Sequence, residues 1–225
     1  RSRGPIAALD EGLAPWAGKV DLIVSEWLGS FLLYESMLPS VLYARDRYLR
    51  EGGILAPSHS RMVLAAATDR GVLCERSRFW SDVYGFRMPS MTQGLTSEAA
   101  TEDVEADAIV SDVATICDLP LEQIPAAQPS FTAPFSLHVK EACKVHGFVS
   151  WFDTWFAPTP HMAFDELPPV TVSPVQPSDV HGLDLHRNEV VEASEATHGE
   201  TVSFTTSPFG KPTHWKQTIF LLKTP

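Results

Sequence analysis

The chain has 225 residues, 44% of them hydrophobic, and a formal net charge of −11. That size and hydrophobic content suit a globular protein with a sizeable core, and the acidic balance argues against direct nucleic-acid binding, which draws on clustered Lys and Arg. Cys74, Cys117 and Cys143 are widely spaced with no CxxC pair, which argues against a disulfide framework or a zinc ribbon, and no run approaches the ~20 apolar residues of a membrane span.

These features predict a soluble, unsecreted protein with reduced thiols in the cytoplasm or nucleus. Its acidic surface would attract basic protein tails.

In chain order, the branched apolar run Val20 to Ser25 predicts a strand buried on both faces of a parallel sheet, with Glu26 just past its carboxyl end. Open α/β sheets bind ligands beyond that end, so a charged residue there faces a site. After Gly29, apolar residues at Phe31, Leu32, Leu38, Val41, Leu42 and Leu49 predict a helix stopped by Gly52-Gly53. Ile54 to Pro57 and Arg61 to Ala67 then read as a strand, a turn and a second strand.

From there β patterning dominates. Residues 70–97 interrupt it with the aromatic stretch Phe79 to Phe86, too apolar for a surface loop and suited to an interaction arm. Further strands are expected over 108–116, 131–139, 144–156, 201–206 and 214–222, consistent with a sandwich or barrel whose core holds Trp151, Phe152, Trp155 and Phe156. Residues 157–199, rich in Pro, acids and His, predict a long, partly mobile insertion. His181 and His186 in it lack a metal-ligand partner at a recognised spacing, so no metal is expected.

Glu26 and Glu35 bracket the Gly29 turn, nine positions apart. With Glu26 ending a strand and Glu35 in the first turns of the next helix, the two carboxylates converge on one ligand. Two ionised carboxylates at close range repel unless a cation lies between them. Guanidinium fits best, because its planar fork stays charged and offers five donors. Clamping would localise charge toward one nitrogen and free the lone pair of another to attack a methyl group on a sulfonium, so that catalysis comes from positioning and electrostatics.

Ser25-Glu26-Trp27, Gly29 and Glu35-Ser36-Met37-Leu38 resemble the double-glutamate hairpin of the protein arginine N-methyltransferases, with Leu28 where that family usually has Met. Thr213-His214-Trp215-Lys216-Gln217-Thr218 resembles its threonine-histidine-tryptophan loop. Phe79-Trp80 to Gly85-Phe86 resembles the start of the family's dimerisation arm, and Tyr43-Ala44-Arg45-Asp46 with Tyr48-Leu49 the helix after the hairpin.

The resemblance implies an α/β plus β fold. Residues 1–56 would be the C-terminal part of a Rossmann-like methyltransferase domain, and 57–225 an incomplete β-barrel with a dimerisation arm at 70–97. It implies S-adenosylmethionine as cofactor, arginine-containing protein substrates such as basic Arg/Gly-rich tails, a homodimer, and the asymmetric type of dimethylation. Glu26 and Glu35 would bind the guanidinium. His214 and Trp215 would wall the pocket, with His214 accepting or relaying a proton, and Ser25 and Met37 would face the cofactor.

The glycine-rich cofactor loop and the ribose-binding acid would lie before residue 1, and no GxGxxG occurs in the chain. Ala7 aligns with the position that normally offers a glutamate near the adenine. The family's barrel usually continues past Pro225. An alternative is therefore a non-catalytic fragment or pseudoenzyme subunit that binds arginine-containing peptides or dimerises with a complete enzyme. A glycoside hydrolase using both glutamates would need a sugar-binding aromatic surface with no clear counterpart here.

Overall fold

A computed structural model describes residues 10–69, 71, 78–126, 130–172 and 199–223. After a short helix α1 (Asp10–Leu13), strand β1 (Val20–Val24) pairs in parallel with β2 (Leu49–Ala56), placing Leu22 opposite Ile54 and Val24 opposite Ala56. The helix between them, α2 (Leu38–Tyr48), makes the crossover that parallel pairing requires. The expected two-sided burial of β1 is not observed: Leu22 is 50% and Val24 71% exposed, because among the described residues nothing covers the face they share, whereas Ile23 on the opposite face packs against the core.

Two helix boundaries differ from expectation. Phe31, Leu32 and Ser36 take positive φ values of 47°, 53° and 56°, and a right-handed helix cannot pass through left-handed residues. The helix therefore starts at Leu38, where Pro39 suits the first turn, and Glu35 lies in the loop before it rather than in its first turns. Gly52-Gly53 do not stop the helix, which ends at Tyr48; β2 runs through both glycines. The register jumps from Val20–Leu49 to Leu22–Ile54, so they form a bulge, with Gly52 at φ 67° and Leu49 folded over Gly53.

The larger sheet contains β3 (His59–Ala67), β4 (Ala100–Glu102), β5 (Ile109–Pro120), β6 (Gly147–Phe156), β7 (Val202–Thr205) and β8 (Gln217–Leu221). Its order is β4-β8-β6-β3-β5, with β7 also on β6, and every pairing is antiparallel. Among the described residues the sheet is open rather than closed into a barrel. Alternation along β3 divides the core. Met62 joins Phe152, Leu119 and Leu121 against Trp27, Leu38 and Leu42, while Val63, Ala65 and Ala67 pack with Val149, Trp151 and Ile219. Arg45 fixes α2 to the sheet by donating from Nη1 to the carbonyls of Leu121 at 2.5 Å and Ile124 at 2.7 Å.

The strand expected over 131–139 does not form; Val139 makes an isolated bridge to Ser111. Pro134 removes a ladder donor within that run. β4 was not anticipated, since three residues carry too little alternation to read. Residues 157–172 have no regular structure, yet they are tied across the sheet. Trp155 Nε1–H donates to the Pro168 carbonyl and His59 Nε2–H to that of Met162, each at 2.9 Å. This part of the expected insertion is thus anchored; residues 173–198, including His181 and His186, lie outside the described residues, as does Ala7. Of the expected arm, residues 71 and 78–97 are described, and they expose Phe79, Tyr84 and Phe86.

Candidate functional site

The loop from Ser25 to Met37 is built by local constraints. Ser25 continues the β1 pairing, its N–H donating to the Ala56 carbonyl at 2.9 Å. The Gly29 N–H then donates to Leu32 at 3.0 Å and closes a tight hairpin, and the Ser36 N–H donates to Leu33 at 3.1 Å. Leu32 is 1% exposed and packs with Trp27 and Leu28, so hydrophobic burial offsets the left-handed backbone at Phe31 and Leu32.

Within this hairpin both glutamates are exposed. The Glu26 carboxylate accepts from the Leu28 N–H at 3.1 Å, which holds it back over the turn. The stem of Glu35 lies directly over Gly29, a close approach that needs the absence of a side chain there. The two carboxylates therefore flank one turn. Met37 is half-buried at the far end of the loop, packed against the core, and Ser25 is half-buried at the near end.

The second motif reaches the first through a side-chain-to-backbone hydrogen bond. The Trp215 indole Nε1–H donates to the Leu28 carbonyl at 2.7 Å, across 187 positions of sequence. Trp215 is held for this bond by stacking on Phe204, with centroids 5.5 Å apart and planes at 20°, and by an edge contact with Phe152 at 5.6 Å. His214 is exposed, its ring centroid 3.8 Å from that of Trp215. The turn below them closes through the Lys216 N–H to Thr213 at 3.0 Å, with Lys216 at φ 53° and its ammonium 3.1 Å from Asp103.

Sequence reading did not single out Phe152 and Phe204 as site-forming, because each sits in a strand pattern that equally suits plain core. Nor did it single out the Leu28 carbonyl, a backbone group without a sequence signal. The buried Trp27, 1% exposed, keeps an indole Nε1–H without a hydrogen-bond partner among the described residues.

Several groups of the sheet have displaced pKa values. Burial pushes the Asp153 carboxyl up, opposed by a Thr205 hydrogen bond and by Arg61. Burial pushes His59 down, opposed by the Met162 carbonyl, Glu122 and Asp118. Cys117 is pushed up to about 11 by burial and by Asp118. No cluster of three or more potential metal ligands occurs among the described residues.

Residues 58–186 match the family model described as the arginine methyltransferase oligomerization subdomain. The chain is 37% identical over 206 residues to the ribosomal protein arginine N-methyltransferase rmt3 of Schizosaccharomyces pombe, covering 92% of this chain and 32% of that protein. It is 35% identical over 202 residues to protein arginine N-methyltransferase 1 of the same yeast, covering 90% of this chain and 48% of that one. The chain thus spans about a third to a half of the length of these curated relatives.

Among solved structures, it resembles a chain of the Trypanosoma brucei PRMT1 enzyme–prozyme heterotetrameric complex with AdoHcy. The TM-score is 0.67 at 30% identity, covering 92% of this chain and 53% of that one. Arabidopsis thaliana protein arginine methyltransferase 10, at TM-score 0.60 and 24% identity over 92% of this chain and 56% of its own, shares the fold.

Proposed function

Because the chain belongs to the family of the arginine methyltransferase oligomerization subdomain, we propose that it forms the arginine-binding side of an S-adenosylmethionine-dependent protein arginine N-methyltransferase. The observation that carries the proposal is the junction of the two motifs: the Trp215–Leu28 hydrogen bond of 2.7 Å sets His214 and Trp215 against the glutamate hairpin. Nothing in chain order requires segments 187 positions apart to meet.

S-adenosylmethionine supplies an electrophilic methyl group on a sulfonium. The open carboxyl end of β1, where Val24 is 71% exposed, suits the methyl-bearing end of such a donor, with Ser25 and Met37 bordering it. Glu26 and Glu35 take the substrate guanidinium through charge-assisted bonds. Their combined negative charge draws the cation toward the held nitrogens and leaves lone-pair density on the nitrogen facing the methyl group. Trp215 limits the guanidinium to one plane, and exposed His214 takes the released proton or passes it to water.

The acidic chain, at −11, favours basic protein tails as substrates, including Arg/Gly-rich ones. Exposed Phe79, Tyr84 and Phe86 support self-association through the arm, as a homodimer. No helix among the described residues is long and apolar enough to cross a membrane, and the cytoplasm or nucleus is the compartment we assign.

The same arm supports a second reading, a non-catalytic subunit that associates with a complete methyltransferase. Titration with S-adenosylhomocysteine, followed by transfer of labelled methyl groups to an Arg/Gly-rich peptide, separates the two. Catalysis predicts micromolar cofactor binding and turnover lost in Glu26→Gln and Glu35→Gln. A folded chain that binds no cofactor and turns over nothing alone supports the subunit reading.

A further inference from the structure

Behind the hairpin lies a cavity of about 520 Å³ that neither Glu26 nor Glu35 lines. Phe31 and Tyr34 enter it from the hairpin, Thr101 from β4, and Thr218 and Phe220 from β8, with Glu98 at the approach to β4. It borders the hairpin that carries the two glutamates, through Ser30, Phe31 and Tyr34.

Three features give this cavity a chemical preference. Phe31 adopts φ 47°, a left-handed backbone that non-glycine residues rarely take, and its ring meets Phe220 edge-to-face at 5.2 Å. Tyr34 is 81% exposed, so its ring face is available. Glu98 is exposed and forms no ion pair with a described residue. Aromatic faces beside an uncompensated carboxylate attract a cation, through the ring quadrupoles and through charge-assisted hydrogen bonds.

We infer that this cavity binds a second cationic side chain, a lysine or arginine, of the protein segment whose arginine enters the Glu26–Glu35 hairpin. The inference rests on the arginine-methylation reading above. It makes Glu98 a specificity-determining residue that selects substrates with a basic residue near the methylated one, and Tyr34 and Phe31 the walls that orient that residue. Continuity of the groove with the hairpin through Tyr34, and the match of charge to a basic tail, favour this occupant over an apolar one.

The test uses the full chain with S-adenosylhomocysteine present and two kinds of synthetic peptide. One is glycine-rich with a single arginine; the other carries in addition a lysine at each nearby position in turn. Binding is read by fluorescence anisotropy. At the best lysine position, Glu98→Gln is expected to weaken binding roughly five- to tenfold and to leave the single-arginine peptide unchanged. Glu98→Lys is expected to reverse the preference, favouring a glutamate at the same position, which a merely structural role for Glu98 does not predict.

Equal weakening of both peptides by Glu98→Gln, no weakening of either, or no binding of either peptide to the unmodified chain overturns the inference. If Glu35→Gln abolishes binding of both peptides while Glu98→Gln changes neither, the hairpin reading stands and the second subsite fails. If Glu35→Gln leaves the single-arginine peptide bound while Glu98→Gln still weakens the lysine peptide, the cavity stands and the hairpin reading fails.

Discussion

Glu35 lies across Gly29 so closely that a β-carbon at position 29 would stand 2.8 Å from its Cγ and 3.1 Å from its Cδ. The carboxylate is positioned by what residue 29 lacks. Because the contact is with the root of the Glu35 side chain, relief requires the backbone of the hairpin to move. Gly29→Ala is expected to weaken binding of an arginine peptide at least tenfold and to cost about 1–3 kcal/mol of stability through overpacking. Calorimetry and denaturant melts read the two effects, and unchanged affinity would show that Glu35 is not held by this packing.

The Trp215–Leu28 bond yields a second prediction. Trp215→Phe keeps most of the ring contact with Phe204 and Phe152 but leaves the Leu28 carbonyl without its indole donor. An unmet partly buried acceptor costs about 1–3 kcal/mol. The midpoint in urea should fall with an unchanged slope, and peptide affinity should fall with it, because the His214 loop loses its link to the hairpin. A variant as stable as the parent, with intact affinity, would show the two motifs to be joined by packing alone.

Thiol reactivity should separate two cysteines. Cys143 is exposed, whereas Cys117 is half-buried with its pKa pushed up to about 11. In a Cys74→Ser background, iodoacetamide at pH 8 should modify Cys143 and leave Cys117 intact until the chain unfolds. A group whose pKa rises on folding contributes stability below its ordinary value, here 9.0, and loses it as pH climbs through about 11. Prompt labelling of both at pH 8 would contradict the burial of Cys117.

Asp153 supplies a pH-dependent test. It is buried, one carboxylate oxygen lacks a hydrogen-bond partner among the described residues, and desolvation holds its pKa above the ordinary 3.8. The contribution of its protonated form is complete below 3.8 and is lost as pH rises through the folded value. Asp153→Asn cannot ionise, so its stability relative to the parent should improve from pH 4 to pH 7. Thermal melts at both pH values read the difference; a stability of the variant relative to the parent that stays constant or falls from pH 4 to pH 7 would mean that Arg61 and Thr205 compensate the charge fully.

Much of the fold was legible where local chemistry repeats. The branched apolar run at β1 and the apolar runs of β3 and β6 read as strands, and the apolar stripe of α2 reads as a helix, because each pattern is set by neighbouring residues. Legibility failed where a residue had two physical uses. Phe31 and Leu32 match a helical stripe, yet Leu32 serves the core from a left-handed loop, because the tight turn at Gly29 leaves no room for helix. Gly52-Gly53 read as a helix stop and act as a bulge, since glycine serves both. Residues 131–139 alternate like a strand but contain Pro134, and only Val139 makes a bridge.

By itself the sequence determined which chemical groups are present and how the nearest of them are spaced. It set a glutamate at each side of a glycine turn, an indole in a Thr-His-Trp run, and an acidic surface suited to basic partners. Only the tertiary structure decided that the indole of Trp215 reaches the Leu28 carbonyl, that Phe204 and Phe152 hold it there, and that Phe31, Tyr34 and Glu98 face one cavity. Those relationships join segments far apart in the chain through strand register and packing of the sheet against the hairpin. Such contacts leave no period in the sequence, because each depends on where the intervening strands pair rather than on neighbouring residues.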